Sequence, residues 1–392
     1  MTYNERFSTL PVATWPRLRA LLDHRPAGGE VINMTIGEPK HDFPSFVGPI
    51  LAENLQGFKK YPDNNGIPAL MDAIKLWLDK RYNVSVTAEN LMTVCGTREG
   101  LYNAAIALNP QSKNGKTPVI LLPNPYYSSY PAAAAAVGAE QVFLPSEEKN
   151  GYLPDFQSLS TEILDRTTIA YVCSPTNPQG ATANEAYWAD LFALADKHDF
   201  KIFADECYSE IYRDTPPVGA LEMAQRLGTD PERVVVFHSL SKRSNLAGLR
   251  SGFVCSGVEN IKRIRKLRAY AGTPLPEPLQ AVAAEAWLDE EHVIQSRALY
   301  QEKFKIADEI LGHLPGYLAP QAGFFLWLPV EDGEAAVVKL WEETGVRTLP
   351  GAYLAQDYNG SNPAQKFIRV ALVASKQEVQ RGLTQIRDCL YG

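Results

Sequence analysis

Short apolar runs alternate with segments of helical periodicity through the middle of the chain. The apolar runs are typical of buried strands and cover residues 91–95, 119–122, 168–173, 201–204 and 234–237. Segments typical of helices follow several of them, at residues 101–108, 131–137 and 185–198. Strands that alternate with helices in this way are typical of a mostly parallel, doubly wound sheet. The pattern therefore predicts an α/β fold, while the direction of each single strand stays open.

The pattern changes after residues 270–278, a stretch that contains three prolines and a glycine. Residues 277–314 have the periodicity of a long amphipathic helix, either continuous, kinked or broken. Residues 324–328 and 366–372 are typical of strands, with helical patterns between and after them. We predict a large domain over 46–275 and a smaller α+β domain over 276–392. The N-terminal segment, 1–45, is predicted to contribute to the smaller domain.

The composition is that of an ordinary globular protein. Of the 392 residues, 45% are hydrophobic and 21% are charged. The net charge of −7, with no block of like charges, argues against a nucleic-acid or membrane partner.

Five scattered cysteines without a CxxC motif predict reduced thiols, and the six histidines show no metal-ligand spacing, so we predict no metal site. Residues 1–6 lack a signal-peptide pattern and no apolar run is long enough to span a membrane, which predicts a cytoplasmic protein.

A lysine flanked by hydroxyl groups follows the apolar run 234–237. The hydroxyls of Ser239 and Ser241 and the guanidinium of Arg250 are suited to binding a phosphate. A lysine beside a phosphate-bearing aldehyde can form a Schiff base, so the stretch suggests pyridoxal phosphate held on Lys242. The alternative is a solvated loop with an ordinary surface lysine. The short motif by itself favours that alternative, because such motifs often occur by chance.

Polar or aromatic residues follow the other predicted strands at the point where each strand ends. They are Gly96, Thr97 and Arg98 at the start of a helix, then Tyr127, Asn177, and Asp205 with Tyr208. Ligands of open α/β sheets bind beyond the carboxyl ends of the strands, so these groups are expected to converge on one crevice. A helix start presents N–H groups to an anion. Together they meet the needs of one cofactor: phosphate donors, a stacking ring, a donor for a phenolic oxygen, a carboxylate for a pyridine nitrogen, and an amine.

Each of these residues also has a purely structural interpretation. Residues 96–100 have the composition of a capped turn. Tyr127 could pack in the core, Asn177 stands between prolines as in many turns, and Asp205 could cap a helix. Only their combination favours a shared site.

The ordered set resembles the class I/II aminotransferases, which are pyridoxal-phosphate enzymes of fold type I, over roughly residues 30–390. Gly37, Tyr61 and Arg369 extend the same order. The resemblance implies a homodimer whose Tyr61 reaches the phosphate in the neighbouring subunit, although residues 61–66 could be only a loop. It also implies that Arg369 clamps the substrate α-carboxylate, with Gly37 nearby. From the residues alone, Arg369 could instead point outward from an edge strand.

The resemblance further implies roles around the cofactor. Lys242 would carry it as a Schiff base and then move the proton between the substrate Cα and the cofactor C4′. Asp205 would pair with the pyridine N–H, and Tyr127 would stack on the ring. Asn177 and Tyr208 would hydrogen-bond the phenolate oxygen, with Asn177 also near the substrate. The phosphate cup would comprise Gly96, Thr97, Arg98, Ser239, Ser241 and Arg250.

Three segments narrow the resemblance further. Residues 35–41, 206–212 and 241–245 resemble N-succinyl-LL-diaminopimelate aminotransferases of bacterial lysine biosynthesis. The implied reaction passes an amino group between that compound and glutamate or 2-oxoglutarate. Aminotransferases for aspartate, alanine, aromatic amino acids or N-acetylornithine share the same core residues and remain alternatives. Two other classes also stay open: a pyridoxal-phosphate carbon–sulfur lyase, and a non-catalytic regulator, which would need an appended DNA-binding module.

Overall fold

The computed structural model describes residues 5–8 and 10–392. The first four residues, on which part of the signal-peptide expectation rests, lie outside the described residues. The strands, in chain order, are β1 (Ile32–Asn33), β2 (Leu91–Val94), β3 (Val119–Asn124), β4 (Glu140–Pro145), β5 (Thr167–Cys173), β6 (Lys201–Asp205), β7 (Val234–Ser239), β8 (Gly252–Ser256), β9 (Phe325–Pro329), β10 (Val346–Arg347), β11 (Leu349–Pro350) and β12 (Phe367–Ala371).

The α-helices surround these strands. In chain order they are α1 (Thr14–Leu22), α2 (Val47–Asn54), α3 (Pro68–Tyr82), α4 (Thr97–Leu108), α5 (Ser129–Ala136), α6 (Thr161–Arg166), α7 (Glu185–His198), α8 (Ala220–Leu227), α9 (Leu240–Arg243), α10 (Val258–Ala271), α11 (Glu277–Leu288), α12 (Glu291–Leu311), α13 (Gly333–Thr344) and α14 (Lys376–Leu390). Among the described residues, no helix is both long and apolar enough to cross a membrane.

The large sheet has seven strands in the order β2-β8-β7-β6-β5-β3-β4. All neighbouring strands pair in parallel except β8, which runs antiparallel to both β2 and β7. The prediction of a mostly parallel sheet is therefore confirmed. Neither β4 nor β8 was recognised from the sequence, because both lie outside the apolar runs identified there.

Helices cover both faces of this sheet. Alternate residues of one strand point to opposite faces, so Val235 packs with Leu101 on one side while Val236 packs with Trp188 on the other. Strands β3 and β7 are buried along their whole length, which explains their continuous apolar runs. The sheet is thus doubly wound, as predicted.

A second group of strands is formed by the C-terminal region. Strand β12 is the middle strand of an antiparallel sheet with the order β11-β12-β9. Strand β1 pairs in parallel with β10, and Ile32 and Met34 share an apolar cluster with Leu326 and Val370. The N-terminal segment therefore packs on the C-terminal region.

The predicted long helix over 277–314 is broken. Helix α11 ends at Leu288 and α12 begins at Glu291. The Asp289 carboxylate accepts the Glu291 N–H at 2.8 Å, which satisfies a donor that the start of a helix leaves unpaired. Helix α11 packs its Val282 and Trp287 against α3, in the same cluster as Leu70 and Trp77. The three-segment domain division itself remains a prediction.

Local chemistry explains where the C-terminal helices begin and end. Asp332 accepts the Ala335 N–H at 2.9 Å and caps α13, which ends at Gly345 in the left-handed region (φ 78°). Ser375 and Glu378 form a reciprocal capping box at the start of α14. These ends leave β12 (Phe367–Ala371) between the two helices in the chain, as the middle strand of its own sheet.

Candidate active site

The carboxyl ends of the large sheet carry a connected set of polar side chains. Strand β6 ends at Asp205 and β7 at Ser239, while α4 begins at Thr97 directly after β2. The Thr97 hydroxyl lies 3.1 Å from the Cys207 sulfur, two residues beyond Asp205. The residues that follow β2 and β6 therefore lie next to each other, as the expected crevice requires.

Lys242 lies on the short helix α9 and points into this crevice. Its amine donates a hydrogen bond to the carbonyl of Gly37 and lies 5.5 Å from the centre of the Phe324 ring. Burial disfavours the ammonium form and lowers the pKa of Lys242 from 10.5 to about 8. The side chain is therefore not a solvated surface lysine. A lysine with a lowered pKa supplies a neutral amine as nucleophile or base.

Asp205 is 6% exposed and holds two hydrogen bonds. Its Oδ2 accepts the Tyr130 hydroxyl at 2.7 Å, and its Oδ1 accepts the Cys207 N–H at 3.4 Å. Burial raises the pKa of Asp205, and the Tyr130 hydrogen bond opposes that rise. The chain continues into a turn rather than a helix, so Asp205 does not cap a helix. A buried carboxylate with fixed oxygens is suited to pairing with a cationic N–H group.

A cup suited to an anion lies at the start of α4. Gly96 adopts φ 80°, and a Cβ at this position would collide with the Arg250 guanidinium. The Ser239 hydroxyl donates to Ser241 Oγ at 2.8 Å and accepts the Ser241 N–H at 3.1 Å. Two hydroxyls, a guanidinium and the positive end of a 12-residue helix fit a phosphate group. The phosphate of pyridoxal phosphate is thus compatible with the residues present.

Arg98 and Tyr127 lie at the edge of the same site. The Arg98 Nε donates to the Tyr127 hydroxyl at 2.9 Å, and the Arg98 side chain is exposed. The Tyr127 and Tyr130 rings are nearly perpendicular to each other at a centroid distance of 5.7 Å. Tyr127 is therefore held by the site itself, and its hydroxyl is tied to an exposed cation.

Arg369 reaches the site from the smaller sheet. Its Nη2 donates to the Thr35 carbonyl at 2.7 Å and its Nη1 to Asn177 Oδ1 at 3.1 Å. Strand β12 is the middle strand and Arg369 is 4% exposed, so the interpretation of an outward-pointing arginine on an edge strand is wrong. Burial lowers the pKa of Arg369 to about 10. Its Nε is buried without a partner, which leaves a donor for a carboxylate.

Gly37 and Tyr208 line the crevice beside Arg369. A Cβ on Gly37 would collide with the Phe325 ring, so only glycine lets its segment approach so closely. The Tyr208 ring makes edge contacts with Phe324 and Phe325 at 5.4 and 5.9 Å. Burial raises the pKa of Tyr208 well above its ordinary value, so its hydroxyl stays protonated and can donate.

Tyr61 is not brought to these residues within one chain. Its side chain is fully exposed, and in the described part of the chain it makes no hydrogen bond or ring contact with the site. The described residues also contain no group of three or more His, Cys, Asp or Glu placed to hold a metal ion.

The residues after Lys242 support the site from behind. Arg243 is buried, bonds to the Ala286 carbonyl and pairs with Glu290 at 2.6 Å. Ser244 lies 2.8 Å from His292. Arg243 and Ser244 therefore anchor α9 and do not line the crevice.

Sequence reasoning missed Tyr130, Thr35 and Phe325. Tyr130 lies in the segment of α5 that also carries the alanine run, where an aromatic residue is usually core. Thr35 acts through its backbone carbonyl, which any residue type could supply. These contacts join residues that are far apart in the chain, so only the tertiary structure reveals them.

The chain is similar to known aminotransferases over nearly its whole length. The sequence pattern of the family described as aminotransferase class I and II matches residues 29–386. An aminotransferase structure from Neisseria meningitidis is 38% identical with a TM-score of 0.93 and covers 98% of this chain and 99% of that one. LL-diaminopimelate aminotransferase of Dehalococcoides mccartyi is 28% identical and covers 99% of both chains. A probable N-succinyldiaminopimelate aminotransferase from Thermus thermophilus is 25% identical, with a TM-score of 0.85, and covers 96% and 100%.

Proposed function

Because this chain belongs to the aminotransferase class I and II family, whose members depend on pyridoxal phosphate, we propose N-succinyl-LL-diaminopimelate and 2-oxoglutarate as its substrates. The chain is a transaminase, and the proposal concerns which amino donor it uses. The segments 35–41, 206–212 and 241–245 support this donor, together with a relative named for the same compound. The reaction would serve lysine biosynthesis.

The observation that carries an amino acid as the donor is the buried guanidinium of Arg369, and the choice among amino acids rests on the three segments named above. It has one buried N–H without a partner, and its other nitrogens are held by Asn177 and Thr35. An arginine in this setting binds a carboxylate by parallel hydrogen bonds, as an amino acid substrate requires. The exposed Arg98 at the rim is a second cation, available to the further carboxylates of the proposed donor and of glutamate.

Each side chain has a proposed task. The cofactor, when bound, supplies an electron sink for the substrate Cα. Lys242 would take the proton from the substrate Cα and deliver it to the cofactor C4′, and Asp205 would hold the proton of the pyridine nitrogen. Asn177 uses its Oδ1 to accept from Arg369, which leaves its NH₂ group free to donate to the phenolic oxygen. Tyr208 would donate to the same oxygen, and the cup around Gly96 would hold the phosphate.

The test measures kcat/KM for a panel of amino donors with 2-oxoglutarate. We expect N-succinyl-LL-diaminopimelate to exceed alanine, aspartate, aromatic donors and N-acetylornithine by at least about tenfold. A value no higher than that for alanine or aspartate would refute the donor assignment. Pyruvate formation from a cysteine-type substrate without an added oxo acid would indicate a carbon–sulfur lyase instead.

A second donor is LL-diaminopimelate itself. The relative from D. mccartyi bears that name, and the similarity covers 99% of both chains. The two donors differ in the group on the distal nitrogen, which is a cationic amine in one and a neutral amide in the other. Assaying both compounds at equal concentration decides between them.

We also propose that the working unit is a cytoplasmic homodimer in which Tyr61 crosses to the neighbouring site. Tyr61 is fully exposed. Phe58 and Leu55, which precede it in the chain, are 53% and 50% exposed. An exposed aromatic and apolar segment of this kind is typical of a surface that another protein covers.

A further inference from the structure

Tyr130 makes a direct contact with the carboxylate at the centre of the site. Its hydroxyl donates to Asp205 Oδ2 at 2.7 Å, and its side chain is fully buried. Burial raises the pKa of Tyr130 well above its ordinary value, so the hydroxyl keeps its proton and acts as the donor.

The Tyr130 ring is itself fixed by its neighbours. It stacks on Tyr171 with a centroid distance of 4.5 Å and an interplanar angle of 17°. The Tyr171 hydroxyl donates to the Leu101 carbonyl at 2.9 Å, which ties the stack to helix α4. Tyr127 makes a nearly perpendicular ring contact with Tyr130 as well. The Tyr130 hydroxyl therefore has little freedom to leave Asp205.

We propose that Tyr130 is a positioning residue that keeps Asp205 ionised and aimed at the pyridine nitrogen of the cofactor. The proposal rests on the role of Asp205 in the proposed function. A hydrogen bond donated to a carboxylate stabilises its charged form, which matters most where the surroundings are dry.

The consequence concerns one shared proton. In the pair formed by Asp205 and the ring nitrogen, the proton belongs to the more basic partner. Without the Tyr130 hydroxyl the carboxylate becomes more basic, and the proton moves from the nitrogen toward Asp205. A neutral ring nitrogen withdraws less electron density, so the cofactor stabilises negative charge at the substrate Cα less well.

The test compares Tyr130→Phe with Tyr171→Phe as holoenzymes. Both variants remove one buried hydroxyl from the same ring stack, but only Tyr130 contacts Asp205. For Tyr130→Phe we expect kcat to fall about tenfold and KM to change less than about twofold, the size of a lost hydrogen bond to a charged group. Tyr171→Phe is expected to keep kcat within about twofold of wild type.

A spectroscopic readout separates positioning from packing. The visible absorbance of the bound cofactor is titrated with pH in all three proteins. The midpoint should move to higher pH in Tyr130→Phe, because a less cationic ring stabilises protonation near C4′. It should stay in place in Tyr171→Phe. Were Tyr130→Phe to fail to fold, 3-fluorotyrosine at position 130, a stronger donor, should move the midpoint to lower pH.

The outcomes are distinguishable. Equal kcat and equal midpoints in Tyr130→Phe and Tyr171→Phe would overturn the role of Tyr130. Asp205→Asn is measured alongside them. If it abolishes activity while Tyr130→Phe is silent, only the Tyr130 inference fails. If Asp205→Asn is also silent, the site assignment behind the proposed function fails.

Discussion

Arg369 combines a buried charge with two fixed hydrogen bonds. Thr35 and Asn177 hold two of its nitrogens, and the Phe325 ring lies 4.2 Å beneath the guanidinium. The planar group is therefore oriented before a substrate arrives. A lysine in its place would be a point charge without the parallel donors that match a carboxylate.

Arg369→Lys should therefore raise KM for the amino donor more than it lowers kcat. We expect KM to rise about a hundredfold, which corresponds to the loss of a charged hydrogen bond. Steady-state kinetics measure this, with Arg381→Lys at an exposed ion pair as the control. An unchanged KM in Arg369→Lys would contradict the assignment of Arg369 to the carboxylate.

Lys242 links the stability of the cofactor-free protein to pH. Its amine loses its proton near pH 8 in the folded protein, against an ordinary value of 10.5. Between these values the unfolded chain binds the extra proton, so the contribution of Lys242 to the free energy of unfolding rises with pH. Below pH 8 the folded protein carries the full cost of a buried ammonium group.

Lys242→Met lacks this linkage. The free energy of unfolding of Lys242→Met minus that of wild type should fall by up to about 3 kcal/mol as the pH rises from 8 to 10.5. Urea denaturation of the cofactor-free proteins across this range measures the difference. Lys116→Met, at an exposed lysine, is the control and should show a constant difference. A constant difference in Lys242→Met as well would mean that the folded protein does not disfavour the charged amine.

Helix α9 is too short to hold its own orientation. It has four residues, and the Arg243 guanidinium attaches it to the end of α11 through the Ala286 carbonyl and Glu290. The same guanidinium lies 5.1 Å from the centre of the Trp287 ring. The lysine of the site is thus held in place by a buried ion pair on the opposite side of its helix.

Arg243→Met should destabilise the protein strongly, because Glu290 and the Ala286 carbonyl would lose their donor. We expect a loss of about 3 kcal/mol in the free energy of unfolding, typical of breaking a buried pair. Arg226→Met removes an exposed pair with Glu185 and should cost less than about 1 kcal/mol. Urea denaturation measures the free energy of unfolding of both variants. Equal losses would show that the buried pair stabilises the protein no more than the exposed one.

At the scale of the whole molecule, Tyr61 is expected to complete a site that the single chain leaves open. Lys242 and Tyr61 of one active site would then come from different subunits. A hybrid of Lys242→Ala and Tyr61→Ala subunits would contain one site with both changes and one site with neither.

Mixing these two inactive or weak variants should therefore restore activity. Random exchange makes about half of the dimers hybrids, so about a quarter of wild-type activity is expected. The measurement is transaminase activity after joint unfolding and refolding, with each variant alone as control. No recovery in a mixture that sedimentation shows to contain dimers would contradict a shared site.

The alternation of strands and helices in the large domain, and the mostly parallel sheet it implies, were predictable from the sequence, because buried parallel strands are apolar along their whole length. Strands β4 and β8 were missed because they lie outside the apolar runs found in the sequence, and the antiparallel direction of β8 appeared only in the structure. Gly96, Asp205 and Lys242 were found because their chemistry is unusual where a strand ends. Tyr130 was missed because a buried tyrosine in a helix looks like core until its hydroxyl has a known partner.

Residue types and their order were thus sufficient for the fold class, which depends on local periodicity, and for the family and its cofactor, which the ordered set of polar residues resembles. The contacts between distant segments required the tertiary structure. It showed that β12 is a middle strand and that Arg369 is buried. It also showed that Arg243 forms a buried ion pair with Glu290 and holds helix α9 in place. Such outcomes depend on which surfaces pack together, and that information is spread over the whole chain rather than carried by one segment.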